Sequence, residues 1–173
     1  MGAGVALPRR QVRELRRHAR THPGVRTAHR RERSGLWRYV LSGDLATLIT
    51  APIVYSVFIP FAVLDLWVTA YQAVCFRAWH VRPVRRRHYF AIDRHKLAYL
   101  NAIEKFNCLF CSYTNGLTGY VREIASRTEA YWCPIRHARR VRGVHDRYPS
   151  FALYGDSPAY RQRLAVLRAA AKR

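Results

Sequence analysis

Acidic residues are scarce in this chain. Ten Asp and Glu face 31 Lys and Arg over 173 residues, which gives a formal net charge of +21. Lysine is nearly absent as well and occurs only at Lys96, Lys105 and Lys172, so the positive charge is almost entirely arginine. A charge of this size and sign predicts an anionic partner: nucleic acid, phospholipid headgroups or an acidic protein.

Recognisable catalytic motifs are also missing. The chain has no Gly-rich phosphate loop, no Glu-x-x-His pair for a di-iron centre and no nucleophile–base motif. The residue directly after Cys111 is not histidine, which excludes the Cys-x-x-Cys-His motif for attachment of a c-type haem. The sequence therefore favours a protein without catalysis of its own, and leaves open an enzyme built on cysteine chemistry.

Basic residues are absent from one long apolar segment. Arg38 and Arg77 bracket 38 residues without Lys or Arg, and only Asp44 and Asp65 carry charge there. An apolar run longer than 18 residues is typical of a membrane-embedded segment. No small-residue cleavage site follows a short apolar core, so a signal peptide is not indicated. An ionisable residue such as Asp65 at membrane depth is a candidate for function.

This segment is too long for one upright span. A straight helix of 38 residues would reach about 57 Å, against a hydrocarbon core of about 30 Å. It must fold back or run along the interface, and Pro60 is the natural break point between Leu36–Ile59 and Phe61–Trp79. Because both flanks are strongly basic, the positive-inside rule predicts both termini in the cytoplasm. We therefore predict a membrane-embedded helical hairpin over residues 36–80.

Residues 1–35 form a basic N-terminal arm. Its candidate lipid-binding residues are Arg9, Arg10, Arg13, Arg16, Arg17 and Arg20. Beside a membrane segment, such a cluster predicts contact with anionic phospholipid. Nucleic acid could be bound through its phosphates instead. That alternative is weaker because no aromatic residue interleaves the arm before Trp37.

Residues 81–173 predict a small cytoplasmic helical unit, so the fold class is all-α. Asp93 is a plausible N-cap for a first helix, and Asn115-Gly116 indicates a turn into a second, antiparallel helix. That helix should bend or end at Pro134. A final short helix is expected to start at Ser157-Pro158.

Four residues of this unit have the spacing of a metal site. Cys108 and Cys111 are followed by Cys133 and His137, a pattern typical of tetrahedral zinc, with iron as the alternative metal. A straight antiparallel hairpin would separate the two pairs, so a shared ion requires a kink near Cys133. A redox-active thiol pair at Cys108 and Cys111 and plain packing cysteines remain open. Disulfides are disfavoured in the cytoplasm.

Three stretches carry a resemblance, namely "PIVYSVFIPFAVLDLWVTAYQAVCF", "IDRHKLAYLNAIEKFNCLFCSYTNG" and "YVREIASRTEAYWCPIRHARR". They are similar to a family of small bacterial membrane-associated proteins with no assigned activity. The resemblance covers roughly residues 52–142 and implies a bacterial cytoplasmic-membrane location. It supplies no catalytic residue.

These observations combine into one functional hypothesis with two alternatives. The chain is expected to be a membrane-anchored, metal-binding adaptor or assembly protein that contacts a protein partner. The first alternative is a membrane-associated redox or metalloenzyme component that uses Cys108 and Cys111. The second is a nucleic-acid-binding protein.

Overall fold

The computed structural model describes Arg13, Glu14, Arg17 and residues 44–171. Its regular elements are helical and the described residues contain no strand, which confirms the all-α prediction. The α-helices are α1 (Leu45–Ser56), α2 (Phe58–Tyr71), α3 (Ala102–Trp132) and α4 (Ser157–Ala171). A π-helical turn, Gln72–Phe76, prolongs α2, and short 3₁₀ turns occupy Arg86–His88, Arg94–Lys96 and Tyr148–Ser150.

The described part of the apolar segment, Leu45–Phe76, is helical and does not fold back. Val57, between α1 and α2, keeps helical dihedrals of φ −60° and ψ −21°. Pro60 lies in the first turn of α2, where the missing proline N–H is tolerated, and the N–H of Phe61 donates to the carbonyl of Val57 at 3.3 Å. The turn predicted at Pro60 is therefore not present, and the hairpin is not confirmed. Leu45–Phe76 is instead one helix long and apolar enough to cross a membrane.

The chain reverses only after this helix has ended. The N–H of Val81 donates to the carbonyl of Phe76 at 2.8 Å, and the N–H of His80 donates to the carbonyl of Arg77 at 3.2 Å. This pair of bonds, with His80 in the left-handed region at φ 57°, is a Schellman C-cap. The side chains of Phe76 and Val81 are both buried, so the cap is also packed.

The described residues divide into two compact units, and 93–109 belong to the first. Here the N-cap predicted at Asp93 is wrong: Asp93 makes no side-chain cap and precedes only the 3₁₀ turn Arg94–Lys96. The residue that caps α3 is Asn101. Its Oδ1 accepts from the N–H of Glu104 at 2.9 Å, and Glu104 Oε2 accepts from the N–H of Asn101 at 2.8 Å. This reciprocal pair is a capping box, with Asn in the place of Ser or Thr.

The second unit, 46–92 with 110–171, is built on α2 and α3 lying parallel. The ring of Phe58 packs 5.5 Å from that of Tyr113, and farther along Tyr71 hydrogen-bonds Thr128 at 2.9 Å. Because the contacts advance in the same order along both helices, α2 and α3 run in the same direction. The core between them holds Phe76, Val81, Val84, Leu117, Tyr120 and Ile124. Residues 81–92 and 110–171 belong to the same compact unit as the helix.

Residues 81–90 run back over α3, and we call them the return segment. Their packing accounts for the glycine in the middle of α3. A Cβ on Gly116 would lie 2.9 Å from Phe90 Cδ1 and 3.0 Å from the carbonyl oxygen of Tyr89. Gly116 therefore serves close backbone approach in mid-helix. The turn predicted at Asn115-Gly116 and the antiparallel helix pair are both wrong.

The final helix is confirmed, with its cap one residue earlier than expected. The carboxylate of Asp156 accepts from the N–H of Ala159 at 3.0 Å. At the other end of α4, Arg168 Nε donates to the carbonyl of Tyr131 at 2.9 Å and the guanidinium lies 5.1 Å from the Tyr131 ring centroid. A cation at this place is favourable because it sits at the C-terminus of α3.

Candidate functional site

The four residues of the predicted metal site are not brought together. Cys108 and Cys111 lie on α3, whereas Cys133 follows its end, 22 residues after Cys111. A helix of that length separates Cys111 from Cys133 by about 33 Å. In the part of the chain that the structure describes, no group of three or more His, Cys, Asp or Glu could hold a metal ion.

The second pair, Cys133 and His137, follows the end of α3. Burial and the nearby charge of Glu129 raise the pKa of the Cys133 thiol. The exposed His137 ring stacks on that of Tyr148 at 6.1 Å. The four residues lack the geometry of a shared zinc site because α3 runs unbroken from Cys111 to Trp132 and so holds the two pairs apart.

Most of the predicted lipid-binding arginines cannot be compared with the structure. Arg9, Arg10, Arg16 and Arg20 lie outside the described residues. Arg13 and Arg17 are helical and exposed, and the interaction of the arm with lipid stays a prediction.

The most developed polar site lies on the apolar helix itself and is centred on Asp65. The guanidinium of Arg86 grips its carboxylate with two nitrogens, Nη1 on Oδ1 and Nη2 on Oδ2, the latter at 2.6 Å. Tyr113 donates its hydroxyl to Oδ2 at 2.9 Å, and Thr69 donates to Oδ1 at 3.4 Å. A bidentate arginine fork with two further donors satisfies the carboxylate.

The return segment supplies Arg86 and holds it in place. The guanidinium lies 4.2 Å from the ring centroid of Phe90, a cation–π contact. The hydrogen bond to Asp65 raises the pKa of Arg86, and burial raises the pKa of the Tyr113 hydroxyl. Tyr113 therefore stays protonated and remains a donor to Asp65.

Gln72 forms a second polar contact on the same face of the helix. Its Oε1 accepts from the N–H of Val84 at 2.6 Å, and its Nε2 donates to the hydroxyl of Tyr120 at 3.0 Å. The Gln72 side chain is buried. Asp65, Tyr71 and Gln72 thus direct the polar groups of the helix inward, against α3 and the return segment.

The opposite face of the helix is apolar and open. Its members recur at helical spacing and are 60% to 75% exposed: Ile49, Ile53, Ile59, Val63, Leu66, Trp67 and Val74. We call these residues the apolar stripe. Within the most apolar 18-residue window of Leu45–Phe76, none of the helix is buried in protein. This polarity is the reverse of that of a surface helix in a water-soluble domain, which buries its apolar side.

Comparison of the chain with family models, with curated proteins and with solved structures finds no match.

A cluster of charged side chains on α3 and the following loop is centred on Glu123. Arg147 grips Glu123 with two nitrogens, at 2.9 and 2.8 Å, and also donates to the hydroxyl of Ser126 at 2.9 Å. Arg127 also donates to Glu123, at 2.8 Å, and the two residues form an i,i+4 pair on the surface of α3. Burial opposes ionisation of Glu123, but the two guanidiniums prevail and lower its pKa.

This cluster predicts a loss of stability in acid. Since the folded-state pKa of Glu123 lies below its ordinary value of 4.5, the unfolded chain binds the proton first as pH falls. The contribution is complete above pH 4.5 and is lost as pH falls from there toward the folded-state pKa. Thermal unfolding followed by circular dichroism should show a decline below this pH that Glu123→Gln reduces by about 1–3 kcal/mol. An unchanged decline in Glu123→Gln would contradict the assignment.

His145 forms a carboxylate–imidazole pair with Glu129, an arrangement that could serve as a general base. Its Nε2 lies 2.7 Å from Glu129 Oε2, and its Nδ1 accepts from the N–H of Arg147 at 3.2 Å. With Nδ1 accepting, Nε2 carries the proton and donates to Glu129. Both ring nitrogens are thus engaged, and the ring packs on Phe151. The pair positions the loop that carries Arg147.

Sequence reasoning identified Asp65 as a candidate but missed its partners. Arg86 is 21 residues away and Tyr113 is 48 residues away. The available signal was an isolated carboxylate in an apolar helix, which requires a cation and donors from elsewhere in the chain.

Proposed function

We propose that this chain is a membrane-anchored adaptor without catalysis of its own. The apolar stripe inserts among lipid acyl chains, and the α3–α4 region faces the cytoplasm and contacts a protein partner. The bilayer is anionic, as the net charge of +21 favours. The bacterial cytoplasmic membrane is the location that the family resemblance implies.

One observation carries this proposal: the reversed polarity of the helix Leu45–Phe76. Its carboxylate and amide are satisfied inside the protein, by Arg86, Tyr113 and Tyr120. Its outward side chains are large and apolar, with Leu66 and Trp67 about three-quarters exposed. Water makes such a surface costly, and hydrocarbon makes it favourable. Hydrocarbon also requires internal partners for polar groups, and Thr50 Oγ1 donates to the carbonyl of Ala46 at 2.8 Å.

Vesicle flotation of the purified chain tests the proposal. The variants are Leu66→Asn on the stripe and Leu153→Asn as a matched control, since Leu153 is 60% exposed on the loop before α4. Loss of one buried leucine side chain should lower the partition coefficient about tenfold or more. The control should bind as the wild type does. A wild-type chain that stays soluble and does not float would refute membrane anchoring.

A further inference from the structure

The apolar stripe extends along the whole helix on one side. By the helical repeat of 3.6 residues, Ile49, Ile59, Val63 and Val74 fall within about 80° of one another around the helix axis, so their side chains point to the same side. From Ile49 to Val74 the stripe is about 38 Å long at 1.5 Å per residue. Ser56 is the polar residue within it, and its hydroxyl donates to the carbonyl of Ile53 at 2.7 Å.

The opposite side of the helix collects the polar residues. Thr47, Thr50, Asp65 and Gln72 lie there by the same helical repeat. Asp65 and Gln72 contact the return segment and α3 directly. The side of the helix opposite the stripe is therefore polar from Asp65 to Gln72, where the return segment and α3 pack against it, whereas Val54 and Phe58 on that side are apolar and about half exposed.

An upright orientation conflicts with the position of the return segment. Asp65 lies eleven residues before Phe76, which is about 17 Å along the helix and half of a hydrocarbon core of about 30 Å. Arg86 meets Asp65 at that level, and its neighbours Arg85 and Arg87 are exposed. If the C-terminal end of the helix were at one surface, these arginines would face the middle of the bilayer, where charge is costly.

Moving the helix along its axis does not remove the conflict. Embedding only the part before Asp65 would keep the arginines in water. It would also leave Leu66, Trp67 and Val74 in water, although they are among the most exposed apolar side chains of the helix. No upright position places the whole stripe in hydrocarbon and the return segment outside it.

We infer that Leu45–Phe76 lies in the plane of the membrane, with the apolar stripe at the boundary between headgroups and acyl chains of an anionic leaflet. This inference rests on the proposed membrane anchoring and specifies its geometry. A helix of this kind is immersed by about 5–10 Å, so the return segment and α3, packed on the other side, remain at or above the headgroups. Arg77, exposed at the end of the stripe, reaches the lipid phosphates.

The chemistry of the flanks agrees with this orientation. Both ends of an in-plane helix stay on one side of the membrane, so the eleven arginines before Asp44 and the twenty basic residues after Phe76 share one anionic surface. The positive-inside rule is then satisfied by a single helix, without the hairpin that the structure lacks. The occupant of the stripe is therefore a bilayer surface with anionic phospholipid.

Spin-label depth measurements test the orientation. Cysteines are placed singly at Ile49, Ile59 and Val74 in a full-length chain whose own four cysteines are changed to serine. The labelled chains are bound to vesicles of phosphatidylglycerol and phosphatidylcholine, and power saturation with oxygen and a water-soluble nickel complex gives each depth. We expect the three depths to agree within about 5 Å. A label at Thr118, exposed on α3, should lie outside the hydrocarbon.

The outcomes separate this inference from the proposal on which it rests. A label at Ile59 that lies at the bilayer centre, with Ile49 and Val74 near opposite surfaces, would overturn the in-plane orientation and leave membrane anchoring intact. Failure to bind either anionic or neutral vesicles would overturn both. Binding to neutral vesicles as strong as to anionic ones would overturn the requirement for anionic lipid, since we expect at least a tenfold preference.

Discussion

Arg86→Gln is expected to lower the free energy of unfolding more than Asp65→Asn does. Breaking a buried ion pair by removal of one partner costs about 3–5 kcal/mol, and we expect about 2–3 kcal/mol here because Arg86 is 44% exposed and partly solvated. Its removal leaves the carboxylate of Asp65, only 13% exposed, without its cation on an apolar helix. In Asp65→Asn the arginine can turn to water, so about 1 kcal/mol is expected.

The double variant distinguishes an ion pair from two independent contacts. If Arg86 serves mainly to neutralise Asp65, then Asp65→Asn combined with Arg86→Gln should be more stable than Arg86→Gln alone. Chemical unfolding in detergent micelles, followed by circular dichroism, measures all four free energies of the cycle. Strict additivity of the two single effects would show that the pair is not coupled.

Gly116→Val is expected to destabilise the second unit by about 3 kcal/mol, at the upper end of the cost of overpacking. The new side chain would meet the carbonyl oxygen of Tyr89 and the ring of Phe90, and the return segment would have to move away from α3. Arg86 belongs to that segment, so the variant should also weaken its contact with Asp65. Gly116→Ala should cost less, because the helix propensity of alanine offsets about 1 kcal/mol.

Gly119 provides the matched control. A Cβ there has a single close neighbour, the ring carbon Tyr89 Cδ1 at 3.2 Å, and that half-buried ring can shift. Gly119→Ala should therefore stay within about 1 kcal/mol of the wild type. Thermal unfolding of the three variants decides the matter, and equal stabilities of Gly116→Val and Gly119→Ala would mean that the return segment does not press on α3 at Gly116.

The same glycine shows where sequence reasoning succeeded and where it could not. The sequence correctly predicted helix on both sides of Asn115-Gly116, and the Ser157-Pro158 signal predicted the start of α4. The Asn-Gly pair is a strong local turn signal. Here the glycine does not form a turn. It allows a distant segment, which carries Tyr89 and Phe90, to pack closely against the helix. No local pattern records such a contact.

The prediction at Pro60 failed for a related reason. The length of the apolar run and the basic flanks both favoured a reversal, but a proline in the first turn of a helix leaves the helix intact. The metal prediction required a kink near Cys133 to bring the two pairs of ligands together, and the continuous α3 instead holds Cys111 and Cys133 apart along its length. Composition predicted an apolar helix and an anionic partner, whereas the arrangement of Asp65, Arg86 and Tyr113 required tertiary contacts.

The parallel packing of α2 and α3 also sets an order of events during synthesis. The polar side of the helix finds its donors late, because Tyr113 and Tyr120 each come 48 residues after the residues they contact and Thr128 comes 57 residues after Tyr71. Contacts of such sequence separation form slowly. Until α3 has left the ribosome, Asp65 lacks its hydrogen bond from Tyr113, whereas the apolar stripe is already complete. If the stripe binds lipid as proposed, it can do so before α3 is complete, and α3 would then pack onto a helix that is already at the membrane.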